Sequence, residues 1–218
     1  RFSMRFFLLL VLIAGCAHSP DHHTHGARAN QHMHKKSHAE LIRAFDDPAR
    51  DEWQKPEEVL RLMGDIKGKK LIDIGSGSGY FSFKFQEARA LVTAADVDEK
   101  FLAHIRQQAE APATRKIEFT DPLMAAGEFD VAFNCNTYHH IDGRVAYFRK
   151  VLQGLSSNGK LVIVDFKLPV PAGKRIGPKA SMRIPVESVV AELKEAGFKR
   201  FEVHHTLPLQ YVVVAFKN

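Results

Sequence analysis

A glycine-rich loop is the part of the sequence best suited to chemistry. Residues 73–79, Asp-Ile-Gly-Ser-Gly-Ser-Gly, follow an apolar run and precede a helical pattern. Glycines allow a tight turn and let a ligand approach the backbone, and the first turn of a helix offers free N–H groups. Asp73 adds a carboxylate beside the loop. Such a loop disfavours a pyrophosphate and favours a ligand that carries an ammonium or a sulfonium.

The spacing of the glycines excludes two common nucleotide-binding loops. A dinucleotide fingerprint, G-x-G-x-x-G, requires its third glycine one position after Gly79, and a P-loop requires a Gly-Lys-Ser/Thr sequence that does not follow here. Asp96 lies 21 residues after Gly75, at the end of the next predicted strand. A carboxylate at that distance accepts hydrogen bonds from ribose hydroxyls. The loop and Asp96 together therefore predict a binding site for a ligand that contains a ribose.

Strand and helix patterns alternate through the rest of the chain. Helices are expected at 39–45, 56–63, 78–88, 99–109, 145–155 and 186–196, and strands at 70–74, 91–95, 116–119, 129–134, 161–165, 200–204 and 211–216. This alternation predicts an α/β fold with a doubly wound, mostly parallel sheet. Ligands bind such sheets beyond the carboxyl ends of the strands, where the strand order reverses.

Composition narrows the classes of protein further. The chain has 218 residues, of which 45% are hydrophobic and 26% charged, and these fractions are ordinary for a globular domain. Its two cysteines cannot build a disulfide framework and lack the C-x-x-C spacing of a structural zinc site. The formal net charge of +6 favours anionic partners or surfaces.

The ordered motifs resemble those of class I S-adenosylmethionine-dependent methyltransferases, over roughly residues 51–216. The resemblance implies a Rossmann-like seven-stranded sheet whose last strand is antiparallel, with S-adenosyl-L-methionine as the cofactor. Asp121, in Thr120-Asp121-Pro122, matches the acid that contacts adenine, and Asn134 lies at the end of the fourth strand. The cofactor-binding residues that we expect are Asp73, Gly75, Ser76, Gly77, Gly79, Asp96, Val97, Asp121 and Asn134.

The segment after the fourth strand supplies candidates for the acceptor side. His139 or His140 could take a proton from a hydroxyl or an amine; the alternative is that one caps a helix and the other fills a polar gap. Tyr138 could form a wall of the site. Trp53 could cover the site as a lid, or pack its own helix. Cys135 is interpreted as a buried structural cysteine.

A long loop, residues 166–184, follows the fifth strand. Its five basic residues, three prolines and lack of acids could recruit an anionic acceptor or rest on anionic lipid, and the alternative is a solvated, mobile loop. We expect no metal in the fold and no nucleic-acid partner. Arsenite methylation is disfavoured because that chemistry uses several cysteines.

The first 38 residues have a different character. Residues 1–15 are typical of a secretory signal peptide, and Ile13-Ala14-Gly15-Cys16 resembles the lipobox of bacterial lipoproteins, in which the cysteine is lipidated. Residues 16–38 are interpreted as a flexible tether and residues 39–218 as the methyltransferase domain. The tether is rich in histidine and could hold a metal weakly, through His22, His23, His25, His32 and His34.

These patterns predict a monomeric methyltransferase of a small-molecule or lipid-like acceptor, anchored through Cys16 and facing the periplasm, with the outer membrane favoured. The alternative is a non-catalytic envelope protein that binds cofactor or metal with the same fold. A third possibility is a cytoplasmic protein whose translation starts downstream, for which Met33 is a candidate.

The anchoring hypothesis makes a direct prediction. Replacing Cys16→Ser should move the protein from the membrane fraction to the soluble fraction, because stable anchoring depends on the lipid attached there. Immunoblots of fractionated cells would measure this, with Cys135→Ser as the matched control. A variant that stays in the membrane fraction, or a wild type that is soluble, would contradict lipidation at Cys16.

Overall fold

The computed structural model describes residues 36–171, 173 and 176–218. The predicted signal peptide, Cys16 and the candidate metal ligands from His22 to His34 lie outside these residues. Within the described part of the chain, none of the helices is both long enough and apolar enough to span a bilayer.

Seven helices and seven strands follow one another along the described chain. The helices are α1 (His38–Phe45), α2 (Arg50–Gln54), α3 (Pro56–Met63), α4 (Tyr80–Glu87), α5 (Glu99–Arg106), α6 (Arg144–Gly154) and α7 (Val186–Ala196). The strands are β1 (Lys70–Ile74), β2 (Leu91–Asp96), β3 (Ala113–Lys116), β4 (Phe129–Cys135), β5 (Leu155–Phe166), β6 (Arg200–His204) and β7 (Gln210–Phe216). Short 3-10 turns lie at Tyr138–His140 and Ala180–Met182.

The strands form one sheet in the order β3-β2-β1-β4-β5-β7-β6. The pairs from β3 to β5 are parallel, and β7 is antiparallel to both β5 and β6. This topology confirms the predicted fold class. Strand order reverses between β1 and β4, where Ile74 pairs with Ala95 on one side and with Asn134 on the other. The carboxyl ends of β1, β2 and β4 therefore meet at one crevice.

The central strands are apolar because both faces of the sheet are covered. Successive residues of β5 alternate between two cores: Leu161 and Ile163 face the core built with α6 and α7, whereas Val162 and Val164 face the core built with α3 and α4. A strand buried on both faces has to be hydrophobic at every position, and the run from 161 to 164 satisfies that requirement.

Two strands differ from the prediction by more than one residue. The third strand was expected at 116–119 but lies at Ala113–Lys116, at the edge of the sheet, where polar residues are tolerated. Ile117 follows the strand and is buried, while Phe119 is 56% exposed. The fifth strand starts at Leu155 rather than Leu161, since Leu155 pairs with Phe129 before a register irregularity.

The segment before β1 belongs to the fold. Ser37 caps α1 in a capping box with Glu40, and α1 packs against α5 through Phe45 and Phe101, whose ring centroids are 5.7 Å apart. His38, assigned above to the tether, is the first residue of α1, and its Nε2 lies 2.6 Å from the carboxylate of Asp98. The N-terminal helices thus lie close to the carboxyl ends of β1 and β2.

Candidate active site

The glycine loop turns tightly against the end of β2. The amide groups of Gly75 and Ser76 both donate to the carbonyl oxygen of Ala95, at 2.8 and 3.0 Å. Gly75 has a φ of +77°, and a Cβ placed there would lie 2.4 Å from Thr137 Oγ1. Both its backbone conformation and the closeness of Thr137 therefore require glycine.

Asp96 holds the loop and is 7% exposed. One carboxylate oxygen accepts from the Gly77 amide and the other from the Asp98 amide, each at 2.9 Å. Burial raises the pKa of Asp96 above its ordinary value, although these amides oppose the shift. Each carboxylate oxygen can accept more than one hydrogen bond. The arrangement therefore leaves Asp96 able to meet ribose hydroxyls as the sequence predicts.

Asp73 lies behind the loop at the end of β1. It is 2% exposed, and its carboxylate accepts a 2.6 Å hydrogen bond from Ser82 Oγ in α4. Burial raises the pKa of Asp73 to about 7, against the opposing effect of Ser82. The side chain behind the loop, Asp73, is therefore easily protonated. A cation bound nearby would stabilise the charged form of Asp73.

Two buried polar atoms at this crevice lack a hydrogen-bond partner among the described residues, Ser76 Oγ and Asn134 Oδ1. The Asn134 amide nitrogen donates to the carbonyl oxygen of Ile74 at 3.0 Å, which fixes the oxygen as the free end. An unpaired buried acceptor is costly, so such atoms indicate a missing partner. The ammonium and hydroxyl groups of S-adenosylmethionine are donors of the required kind, and the residues present fit this cofactor.

Arg50, in α2, is a candidate site residue that sequence reasoning missed. Its guanidinium carbon lies 3.8 Å from the centroid of the Tyr80 ring, at the start of the helix after the loop. Burial raises the pKa values of both Asp73 and Cys135, and the nearby charge of Arg50 opposes the shift in each. A guanidinium here could bind a carboxylate, such as that of a methionine moiety. The short helix between two prolines gave no apolar periodicity that could have drawn attention to it.

His139 and Asp165 form a buried pair at the ends of β4 and β5. His139 Nδ1 lies 3.0 Å from both carboxylate oxygens, and the side chains are 4% and 1% exposed. Burial acts to raise the pKa of Asp165, but the interaction with His139 outweighs burial and lowers it. An ionised Asp165 holds the Nδ1 proton, so that Nε2 carries the lone pair. This is the arrangement of an oriented general base.

His140 differs from its neighbour. Burial, with a smaller contribution from His139, lowers the pKa of His140 to about 3, so its imidazole is neutral near physiological pH. The two ring centroids lie 4.4 Å apart. Of the two predicted candidates, His139 therefore has the carboxylate partner that a general base uses, and His140 is a neutral neighbour.

The structure corrects the role expected for Tyr138. This side chain is 0% exposed, and its hydroxyl donates to the carboxylate of Glu192 in α7. Glu192 also accepts from Arg144 Nε and Nη2, at 2.7 and 2.8 Å. Tyr138 therefore packs in the core and ties the 3-10 turn to α7, rather than forming a wall of the acceptor site.

The remaining predicted residues lie around the same edge of the sheet. Asp121, after β3, pairs with Lys150 at 2.7 Å and caps the Leu123 amide, and its contact with adenine stays a prediction. Val97, after β2, packs against the core. Trp53 stacks on Phe166 with 5.8 Å between centroids, which shows packing at the end of β5 and leaves the lid role a prediction. Cys135 is buried, and burial raises its pKa to about 12, as expected for a structural thiol.

Two cations of the loop after β5 are used inside the protein. Arg183 donates to the carbonyl oxygens of Lys167, Ile176 and Pro178, at 2.9 to 3.0 Å. Lys167 Nζ donates to the carbonyl oxygen of His205 at 2.9 Å. Neither is therefore an open site for an anionic acceptor. Among the residues that the structure describes, no cluster of three or more histidine, cysteine or acidic side chains could hold a metal ion.

Comparison with known proteins agrees with this geometry. Residues 72–163 match the family model described as a methyltransferase domain. A 27-O-demethylrifamycin SV methyltransferase of Amycolatopsis mediterranei is 26% identical over 148 residues, 61% of this chain and 54% of that protein. An uncharacterised protein of Haemophilus influenzae is 30% identical over 117 residues, 48% of this chain and 44% of that protein. The chain thus spans about half the length of these curated relatives.

Solved structures show the same fold. A SAM-dependent methyltransferase from Aquifex aeolicus superposes with a TM-score of 0.76 at 21% identity, covering 84% of this chain and 100% of that chain. A putative type 11 methyltransferase from Sulfolobus solfataricus superposes with a TM-score of 0.62 at 19% identity, covering 73% of this chain and 90% of that chain. The match to a methyltransferase domain over residues 72–163 and the shared fold both agree with the class I S-adenosylmethionine-dependent methyltransferase that the motifs predict.

The raised pKa of Asp73 predicts a pH dependence of stability. Between about pH 4 and pH 7 the folded protein keeps a proton on Asp73 that the unfolded chain has released, so its contribution to stability is lost as the pH rises. The free energy of unfolding of Asp73→Asn, relative to that of wild type, should therefore be a few kcal/mol higher at pH 7.5 than at pH 4, since each pKa unit corresponds to about 1.4 kcal/mol. Urea unfolding of the ligand-free proteins would measure this, with exposed Asp65→Asn as the control. Parallel pH curves for Asp73→Asn and wild type would contradict the assignment.

Proposed function

We propose that this protein is an S-adenosylmethionine-dependent methyltransferase that methylates a hydroxyl group of a small-molecule or lipid-like acceptor. The observation that carries the proposal is the buried His139–Asp165 pair, at the same edge of the sheet as the glycine loop. The loop and Asp96 would bind the methyl donor, and the His139–Asp165 pair would take the proton from a weakly acidic acceptor. A hydroxyl acceptor has to lose a proton when it is methylated, and histidine is the side chain that most often removes one.

The cofactor supplies a methyl group made electrophilic by its sulfonium. The chain supplies binding and alignment. Asp96 accepts from the ribose hydroxyls, Ser76 and Asn134 offer their unpaired oxygens to donors, and Arg50 meets the carboxylate of the amino-acid end. The side chains of Asp96, Asn134 and Arg50 are held by other contacts before any ligand arrives, which lowers the entropic cost of alignment.

His139 completes the reaction on the acceptor side. Its Nε2 would accept the hydroxyl proton as the acceptor oxygen bonds to the methyl carbon, while the bond between that carbon and sulfur breaks and its electron pair stays on the sulfur of S-adenosylhomocysteine. Asp165 stabilises the imidazolium that results, because its carboxylate contacts Nδ1 at 3.0 Å. General bases of this kind contribute roughly 10²–10⁴-fold in rate.

The name of the Amycolatopsis relative supports a hydroxyl acceptor, since that protein methylates an oxygen of a demethylated rifamycin. The signal-peptide pattern and Cys16 support a second part of the proposal, in which the protein is lipid-anchored in the bacterial envelope. There the acceptor would be a molecule of the envelope, and the donor would have to be supplied from the cytoplasm.

Binding of the cofactor tests the first half of this function. Calorimetric titration of residues 17–218 with S-adenosylhomocysteine should show binding, and Asp96→Ala should weaken it by about 1–3 kcal/mol through lost charge-assisted hydrogen bonds. A chelator in the buffer prevents metal binding by the histidines of the tether from contributing to the measured heat. Asp65→Ala, an exposed acid before β1, is the control and should bind as wild type. Unchanged affinity in Asp96→Ala would refute the cofactor site.

The role of His139 can be separated from folding with His139→Asn, whose amide can still donate to Asp165. The rate of transfer of a labelled methyl group to hydroxyl acceptors should fall about 100-fold or more, while the Kd for S-adenosylhomocysteine changes less than about twofold, since His139 holds no part of the cofactor. Exposed His205→Asn should keep full activity. A His139→Asn variant that turns over at the wild-type rate would rule out the base.

A further inference from the structure

Three carboxamides, two of them buried and the third half-buried, form a closed ring near the site. Gln54 Nε2 donates to Gln210 Oε1 at 2.6 Å, Gln210 Nε2 donates to Asn136 Oδ1, and Asn136 Nδ2 donates to Gln54 Oε1 at 3.3 Å. Gln54 and Gln210 are both 0% exposed. Within the ring, each side-chain amide thus donates one hydrogen bond and accepts one.

Arg50 fixes the direction of this ring. Its Nε and Nη2 point at Gln54 Oε1, at 3.4 and 3.3 Å, and a guanidinium can only donate. The oxygen of Gln54 must therefore face Arg50, which turns its nitrogen to Gln210. The same reasoning then sets the amides of Gln210 and Asn136 in turn. The ring and Arg50 are consequently one hydrogen-bonded unit.

The ring joins three separate elements at the carboxyl edge of the sheet. Gln54 ends α2, Asn136 follows β4, and Gln210 begins β7, where it pairs with Phe166 at the end of β5. Helix α2 has only five residues and could not hold a fixed position by its own hydrogen bonds. The ring ties it to the segment after β4 and to β7, which pairs with β5, while Arg50 Nη1 also donates to the carbonyl oxygen of Phe45 at 2.9 Å.

We propose that Gln54, Gln210 and Asn136 are positioning residues that hold the Arg50 guanidinium ready for the carboxylate at the amino-acid end of the methyl donor. This inference rests on the proposed function. Gln210 has no part in the glycine loop, and its contact with Gln54 links it to Arg50. The effect of breaking the ring should therefore depend on whether the ligand has a carboxylate.

Two ligands isolate this effect. S-adenosylhomocysteine carries the amino-acid carboxylate, whereas 5′-methylthioadenosine retains the ribose and adenine but lacks it. With residues 17–218, Gln210→Met should raise the Kd for S-adenosylhomocysteine about tenfold, the scale of a weakened charged hydrogen bond. The Kd for methylthioadenosine should stay within about twofold, because Asp96 and the loop are unchanged.

A double-mutant cycle tests whether Arg50 transmits the effect. In the Arg50→Met background, Gln210→Met should cause no further loss of S-adenosylhomocysteine affinity, because the group that the ring positions is gone. Gln153→Met, an exposed glutamine in α6, is the matched control and should bind both ligands as wild type.

Thermal unfolding of each variant would show whether it is folded. Where Gln210→Met does not fold, Asn136→Gly opens the ring at a residue whose φ of +57° suits glycine, and the same selective loss is expected. Equal weakening of both ligands, or additive losses in the cycle, would overturn the positioning role. If wild type binds neither ligand, it is the proposed function that fails, whereas ring variants that bind both ligands normally overturn this inference alone.

Discussion

The adjacency of β1 to both β2 and β4 is the constraint on which the site depends. Because Ile74 pairs with Ala95 and with Asn134, the chain leaving β1 has to turn against the end of β2 and beside the end of β4. The amides of Gly75 and Ser76 meet the Ala95 carbonyl, and Thr137 occupies the space over Gly75. The glycine at position 75 follows from this crowding.

Burial shapes the chemistry of the site. Three aspartates lie within it, and they differ in what stabilises their charge: Asp73 has a hydroxyl, Asp96 has backbone amides, and Asp165 has an imidazole. Burial raises the pKa of the first two, whereas the imidazole lowers the pKa of the third. The same low polarity strengthens the contact of Asp165 with His139. The protein thus keeps Asp73 ready to protonate in β1 and Asp165 ionised in β5, with only β4 between these two strands.

The N-terminal helices complete the site. Helix α1 brings Phe45 to within 3.2 Å of a Cβ placed on Gly77, and α2 brings Arg50 over Tyr80 and Trp53 over Phe166. Polar contacts with the rest of the domain, His38 with Asp98 and Gln54 with Gln210, hold these helices in place. A site built this way depends on segments far apart in the chain.

Local patterns in the sequence are enough to predict part of this protein. The alternation of apolar runs predicted the sheet, and the loop at 73–79 with Asp96 predicted the donor site, because glycine spacing and strand ends are properties of a short stretch. The contacts between distant side chains follow from the tertiary fold. Three hydrogen-bonded pairs illustrate this. His139 and Asp165 are separated by 26 residues in the sequence, Tyr138 and Glu192 by 54, and Gln54 and Gln210 by 156. No local periodicity records such pairs, since each exists only because the strand order brings distant segments to the same edge of the sheet.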